Sequence, residues 1–478
     1  MEVQNETQNT SETIKLDSMA PPTRRAVFSG KIAFVFAAAA SAIGLGNIWR
    51  FPYLAAKYGG GSFLIIYLIL VVTFGFSIMI AELAIGRHTG QSAIGAYRAF
   101  GEKYRFIGWL NAIVPLIIMP YYCVIGGWII KYFAVYCSGA GAQMADNGQF
   151  FSAFLASNPE PILWTLVFVA LTMIVVAGGV QGGIERLNRY LMPALIILSV
   201  ALAVYACLLP GAVDGLVYYF VPKIENFTFA ALVAAMGQMF YSLSLAMGIM
   251  ITYGSYVRKD DDLEKSVRTI EIFDTGVAFL AGLMIVPAVF AFSGGEASAV
   301  NAGPGLMFIT LPKVFASIPF GDIVGMLFFL FVVFAALTSS ISLAETVVSI
   351  VQDRAKCSRK VAVLVTAVGT ALIALLPTLG YSSLSGVVFA IGNAQMTILD
   401  FMDFISNSVL MPLAALGTCL FVGFWMKPKI VEDEIESTHG VRFRARGLFE
   451  VMIRWIAPIF LILILVSSVM NAVGLITL

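Results

Sequence analysis

Residues 41–52 read SAIGLGNIWRFP, from Ser41 to Pro52, in the middle of an apolar run from Ala33 to Leu54. Two glycines, Gly44 and Gly46, an amide at Asn47 and a full charge at Arg50 interrupt what would otherwise be a plain membrane helix. In lipid every backbone polar group must be paired within the segment, so irregular backbone survives only where it is buried in protein or lines a cavity. The glycines alone would be ordinary close-packing positions. Arg50 is different, because a charge at membrane depth is costly and marks a pathway or a paired gate. The stretch reads as a binding site.

The rest of the composition agrees with a membrane setting. The chain is 59% hydrophobic and 12% charged, with a mean hydropathy of +0.91, which indicates a polytopic membrane protein. A net charge of +1 gives no global bias toward nucleic acid. The five cysteines, Cys123, Cys137, Cys207, Cys357 and Cys419, are scattered and mostly apolar in context, which argues for packing and against a disulfide framework. His88 and His439 stand alone, so no hydrolytic metal site is expected. Residues 1–25 are polar and read as a disordered tail, not a cleavable leader.

Apolar windows of roughly 20 residues or more, the length needed to cross the hydrocarbon core, fall at about 31–55, 62–86, 106–137, 160–178, 188–208, 229–256, 270–293, 321–351, 360–377, 397–426 and 450–475. Eleven membrane helices are therefore expected, with 379–396 as a short re-entrant or surface helix. The tail and the loops after the even-numbered spans, with their helix ends, hold all the Lys and Arg except Arg50, Lys57, Lys131, Lys223 and Lys313. The positive-inside rule then puts the N-terminus in the cytoplasm and, after eleven spans, the C-terminus outside.

A second interruption lies in the sixth span, where Ser242 to Gly248 read SLSLAMG. Two five-span repeats, 26–208 and 229–426, place the breaks in the first helix of each, with 450–478 as an additional helix. Five is odd, so the second repeat runs upside down relative to the first. Corresponding broken helices in inverted halves point to a binding site between them. The half-helix N-termini offer free N–H groups and the C-termini free carbonyls. Such a place suits an amino acid carboxylate and sodium together.

Other residues can contribute. Ala335, Thr338 and Ser339 share one helical face, so a carbonyl and two hydroxyls can converge on a hard cation; the same hydroxyls can equally back-bond to their own turn. Glu82, Asp274, Glu345, Asp400 and Asp403 are intramembrane acids. Asp400 also fits a plain helix start, where acids favour the dipole, whereas Asp403 is a candidate anion for Arg50.

At this point the motifs resemble a known family. GLGNIWRFP at 44–52, GGG at 59–61, ELAIGR at 82–87, GGIERLN at 182–188, SLSL and ITYGSYV between 242 and 257, and ALTSSIS at 336–342 are together similar to the neurotransmitter:sodium symporters, including the bacterial LeuT-like amino-acid transporters. The resemblance runs from about Arg25 through the tenth span. It implies an all-α LeuT-type fold, a 5+5 inverted repeat of eleven transmembrane helices with helices 1 and 6 broken.

The resemblance also implies site residues. One sodium would take the Ala42 carbonyl, Asn47, Ser242 and Asp274; a second would take carbonyls of Ala40, Ile43 and Ala335 with the hydroxyls of Thr338 and Ser339. Substrate would lie against Ser41, Ala42, Gly46, Ile118, Tyr122, Tyr241, Ser242, Ser244, Met247, Ser339 and Leu343, with the Tyr122 hydroxyl on its carboxylate. Arg50 and Asp403 would form the outer gate, and Arg25 with Asp353 the inner one, where Phe28 stands in place of the family's usual tryptophan. Animal members bind chloride near the first sodium and carry asparagine where this chain has Asp274, so a fixed carboxylate is expected to make chloride unnecessary.

The uncharged side-chain positions, Ile118, Tyr241, Met247 and Leu343, favour a neutral apolar or aromatic substrate, since an unpaired buried charge is costly. The expected activity is sodium-driven amino-acid import across the inner (cytoplasmic) cell membrane, with no nucleic acid or obligatory protein partner. The other reading on the same fold is a sodium-dependent sensor that does not transport. With no nucleophile–base pair or metal cluster in the sequence, an intramembrane enzyme is remote.

Overall fold

The computed structural model describes residues 26–146, 148–294, 304–392 and 394–473. The tail expected over 1–25 lies outside the described residues, and with it Arg25.

The chain enters as α1 (Lys31–Ala42), which stops at the glycine stretch, and resumes as α2 (Gly46–Lys57) after a bend of 54°. Ile43 ends α1 in an extended conformation, with ψ at 98°. The first turn of α2, Gly46–Arg50, is π-helical, a wide turn often found at functional positions. Four further helices follow: α3 (Gly61–Thr89), α4 (Glu102–Cys137), α5 (Pro159–Ala177) and α6 (Val180–Cys207). The second interruption separates α7 (Phe229–Ser242) from α8 (Ile249–Gly254). Ser244, Ala246 and Gly248 all adopt positive φ there, at 55°, 58° and 69°. Two non-glycine residues in that region are strained, and such strain persists where surrounding structure imposes it.

The chain continues through α9 (Leu263–Ser293), α10 (Gly321–Ala355), α11 (Arg359–Leu379) and α12 (Ile398–Trp425). A short helix, α13 (Lys429–Glu436), precedes α14 (Arg446–Val473). Among the described residues nine continuous helices are long and apolar enough to span a membrane, and α1 with α2 makes a tenth as one bent span. Taken as one interrupted span, α7 with α8 brings the number to the eleven expected. At the centre, α1 packs against α9 and α10, and α4 lies along α10. Glycine sets the closest approach of α3 to α8: a Cβ on Gly86 would sit 1.9 Å from the Ile251 carbonyl oxygen, and one on Gly254 would sit 2.4 Å from that of Leu83.

The segment 379–396 corrects the sequence expectation of a short helix. Phe389–Ile391 (β1) and Ala394–Met396 (β2) pair antiparallel, with Phe389 opposite Met396. Aromatic and branched residues suit strands, and Gly392, at φ 58°, supplies the positive φ of a tight reversal. Thr397 and Asp400 then form a capping box at the start of α12. Asp400 is therefore engaged in starting a helix. All five cysteines are free thiols.

At the arginine-rich end of the bundle, one buried carboxylate of α13 gathers three basic side chains. Glu434 accepts from Arg87 Nε at 2.8 Å and Lys259 Nζ at 2.6 Å, and lies 3.1 Å from His88 Nδ1. Burial alone would raise this carboxyl, but the hydrogen bonds from His88 and Lys259 and the Arg87 guanidinium outweigh it and hold it down at about 2. A depressed folded value means that the stabilisation is present above the ordinary carboxyl range and is lost as pH falls toward 2. Glu434→Gln leaves the buried Arg87 without its anion and is expected to cost about 3 kcal/mol. Thermal melts of the two proteins at pH 7 should differ by several degrees, with the gap closing at acid pH; equal melting at pH 7 would contradict this role.

Candidate functional site

The two interruptions face each other across a narrow cavity of about 30 Å3, far below the roughly 300–1,000 Å3 of ligand pockets, so a solute larger than water needs these walls to part. The first interruption contributes Ser41, Ala42, Gly44, Leu45 and Gly46, and the second contributes Tyr241, Ser244, Met247 and Ile249. The opposite wall comes from Ile118 and Tyr122 on α4 and from Ser339 and Leu343 on α10. None of these lining side chains is charged. Every residue proposed from sequence to touch substrate lines this cavity except Ser242. Gly44, Leu45 and Ile249 were not anticipated there, although the first two lie inside the stretch already singled out.

Glycine is required at this wall. A Cβ on Gly44 would come within 2.6 Å of Ser339 Oγ and 3.1 Å of the Tyr122 hydroxyl, and one on Gly46 within 2.5 Å of the Tyr241 ring. Because α1 stops at Ala42, its last carbonyls lack helical partners. The Ser41 carbonyl accepts instead from Ser244 Oγ at 3.2 Å and Ser339 Oγ at 3.0 Å, and the Ile43 carbonyl accepts from Ser339 Oγ at 3.2 Å. The free N–H of Leu45 points to the Tyr122 hydroxyl at 3.4 Å. Gln238 Nε2 donates to the Gly46 carbonyl at 2.9 Å. An amide in the apolar run before Tyr241 was a signal for this role.

Beside the cavity lies a buried acid. Asp274, with no exposed surface, accepts from Asn47 Nδ2 at 2.7 Å and from Ser242 Oγ at 2.9 and 3.0 Å, with the Tyr67 hydroxyl at 3.4 Å. Asn47 is oriented by accepting the Gly44 N–H on its Oδ1 at 3.1 Å. All these donors are neutral, and among the described residues no Lys, Arg or His forms an ion pair with Asp274. Ser242 thus faces the acid and not the cavity. Tyr67 carried no sequence signal, because an aromatic in an apolar helix is ordinarily packing.

On α10, Thr338 Oγ1 lies 3.0 Å from the Ala335 carbonyl and 3.1 Å from that of Phe334, so it back-bonds to its own turn. Ala335 and Thr338 are brought together, and Ser339 meets Ile43; Ala40 is buried at the end of α1.

The proposed gates are less directly paired. Asp403 accepts from the Tyr121 hydroxyl at 3.1 Å and from Asn407 Nδ2 at 2.5 Å. The Arg50 guanidinium lies over the Tyr241 ring, 5.5 Å from its centroid, and forms no ion pair with Asp403 within 4.0 Å. Asp353 accepts from the Ser92 N–H at 2.8 Å, while its proposed partner Arg25 is outside the described residues. Phe28 is buried against Phe34, Tyr253 and Tyr256. The remaining acids are spoken for in other ways. Glu82 accepts the Ala246 N–H at 2.9 Å, which holds the strained second interruption in place. Glu345 pairs with Arg359 and accepts from the Tyr256 hydroxyl at 2.8 Å. Glu271, which sequence reading passed over, is buried and paired with Arg268.

A bundle of membrane-spanning helices with a buried cavity held between two interrupted helices defines the class of multi-pass membrane transporters. The profile of the sodium:neurotransmitter symporter family matches residues 25–140 and 156–476. An uncharacterised sodium-dependent transporter of Bacillus subtilis (strain 168), YhdH, is 34% identical over 449 residues, covering 92% of this chain and 97% of the relative. The human sodium- and chloride-dependent GABA transporter 2 is 25% identical over 405 residues, covering 74% of this chain and 67% of its own length. The crystal structure of MhsT in complex with L-phenylalanine superposes with a TM-score of 0.83 at 37% identity, covering 93% of this chain and all of that one. This chain belongs to the sodium:neurotransmitter symporter family and has the LeuT-type fold. It is a sodium-dependent transporter, not an enzyme.

Proposed function

We propose that the chain is a symporter that imports a neutral apolar or aromatic amino acid with two sodium ions, without chloride, across the cytoplasmic membrane. On this reading 26–208 and 229–426 are the two inverted repeats, the N-terminus is cytoplasmic and the C-terminus outside. The observation that carries it is the buried, uncompensated Asp274 carboxylate beside an uncharged cavity. A fixed negative charge out of water needs a cation, and oxygen ligands alone suit a hard one. The donor set therefore fits sodium: Asp274, Asn47, Ser242 and the Ala42 carbonyl would hold one ion. The carbonyls of Ala40, Ile43 and Ala335 with Thr338 and Ser339 would hold the other, their present mutual hydrogen bonds being exchanged for the ion. Sodium supplies positive charge that draws the substrate carboxylate toward the first interruption.

The chain's own part is positioning. Tyr122 offers its hydroxyl, and Leu45 its N–H, to the same carboxylate. Ile118, Met247 and Leu343 surround the side chain with apolar surface, and adaptable Met247 accepts a large or aromatic group. The structural neighbour MhsT was crystallised with L-phenylalanine, which supports this substrate class. Arg50 and Asp403 would close the outer side by drawing together, and Asp353 would do so with Arg25 on the inner side.

The test is uptake of labelled phenylalanine and leucine into proteoliposomes under an inward sodium gradient. Accumulation that persists when gluconate replaces chloride is the expected result. Binding without accumulation would overturn symport and leave the sensor. In competition assays lysine and glutamate should compete at least a hundredfold more weakly than leucine, because their charge would be buried unpaired at a cost of several kcal/mol; preference for either would refute the substrate class. Tyr122→Phe removes a hydrogen bond to a charged group, worth about 1.5–3 kcal/mol. Its dissociation constant should rise by about ten- to a hundredfold with sodium affinity measured without substrate unchanged.

A further inference from the structure

At the arginine-rich end of the bundle, away from the transport cavity, a second cleft of about 420 Å3 opens between the start of α1, the start of α9 and the segment before α14. Five cations line it: Lys31, Lys265, Arg268, Arg442 and Arg444. It also holds two acids. Asp262 pairs with Lys265 at 3.2 Å and caps α9, while Glu264 accepts the Arg444 N–H at 2.8 Å. Arg268 pairs with Glu271 at 3.2 Å and lies 3.7 Å from the centroid of the Phe76 ring. Among the described residues no ion pair engages Lys31, Arg442 or Arg444. Five lining cations from distant parts of the chain thus face two lining acids, and this excess of positive charge favours an added anion.

The rim of the cleft is apolar. Ile32, 71% exposed, follows Lys31 on α1; Ile272, also 71% exposed, stands one turn beyond Arg268 on α9; and Val72 on α3, 40% exposed, accepts on its carbonyl from Arg268 Nη1 at 3.0 Å. A ligand that satisfies both features carries a phosphate at one end and acyl chains at the other. We propose that this cleft binds the headgroup of an anionic phospholipid, with the phosphate among Lys31, Arg442 and Arg444 and the chains against Ile32, Ile272 and Val72. Basic side chains at the membrane surface are the general means of recognising anionic lipid. Because the lipid links α1, whose end lines the transport cavity, and α9, which carries Asp274, to the segment before α14, it also steadies the bundle at this end. The proposal requires only that this end lies at a lipid surface, and it does not depend on the substrate.

The experiment is native mass spectrometry of the full chain, released from detergent after adding phosphatidylglycerol or phosphatidylcholine. Phosphatidylglycerol adducts should persist where phosphatidylcholine adducts are lost. In the variant carrying Lys31→Gln, Arg442→Gln and Arg444→Gln, phosphatidylglycerol affinity should fall on the order of a hundredfold. Arg442→Lys with Arg444→Lys should retain most of it. The single Arg442→Gln, at an exposed position, should fall by about fivefold and serves where the triple variant is poorly folded. Equal retention of the two lipids, or variants indistinguishable from the parent, would overturn the proposal. Displacement of phosphatidylglycerol by an equal concentration of inorganic phosphate would assign the cleft to a free anion and overturn the lipid reading.

Discussion

Asp274→Asn is expected to abolish sodium-coupled uptake in chloride-free medium and to make whatever activity remains dependent on chloride. The wild-type carboxylate is completely buried and held only by the neutral groups of Asn47, Ser242 and Tyr67. Two unit charges about 4 Å apart at an effective dielectric of about 20 attract by about 4 kcal/mol, so removing the fixed charge should weaken sodium binding by about a thousandfold. Stability should move the other way. An uncompensated buried charge is costly, so the asparagine variant should melt higher than wild type without sodium. Wild type should be stabilised on adding sodium, because a ligand of the native state shifts unfolding by mass action, and the variant should respond little. Melts in sodium and in choline, with uptake in chloride and in gluconate, read both effects. A variant with full sodium response, or one indifferent to chloride, would refute the role given to Asp274.

Gly86→Ala is expected to be strongly destabilising for a single-methyl change. The new Cβ would meet the Ile251 carbonyl oxygen at 1.9 Å, and backbone of a helix cannot rotate away as a side chain can. Relief requires α8 to separate from α3, which would also break the reciprocal approach of Gly254 to Leu83 and disturb Ala246 on Glu82. Overpacking in a dense interior costs about 1–3 kcal/mol and sometimes more; here the upper end is expected, since two backbones are in contact. Gly369→Ala in α11 is the control: nothing lies within 4 Å of its Cβ, so alanine's helix preference should leave stability unchanged or raised by up to about 1 kcal/mol. Size-exclusion profiles and melting temperatures of the two variants compare them directly. A Gly86→Ala protein as stable as its control would mean that the α3–α8 contact is looser than described.

The two interruptions were legible because lipid forbids unpaired backbone, so glycine and polar residues inside an apolar run carry meaning that they lack in a soluble helix. Asn47 was accessible by the same route and Ser339 from its shared helical face with Ala335 and Thr338, whereas Tyr122 and Tyr241 rested on the family resemblance alone. Tyr67 was not, since nothing in an aromatic at that position distinguishes a hydrogen-bond donor from a packing residue. The hairpin at 389–396 was hidden by its apolar composition, which fits a short helix or a strand equally well until Gly392 shows its positive φ. Arg50 and Asp403 could be nominated as partners from charge alone. Only the packing revealed that Tyr121 and Asn407 hold Asp403 while Arg50 lies over Tyr241.

By itself the sequence determined that this chain crosses the membrane many times and breaks two of its helices, because those properties follow from local apolar length and local exceptions to it. Tertiary structure alone decided which groups meet: that Asp274 has neutral donors and no cation of its own, that Gly86 and Gly254 let two backbones touch, and that Lys31, Arg442 and Arg444 share one cleft. Such meetings depend on helices distant in the chain, and local composition carries no record of distance through space.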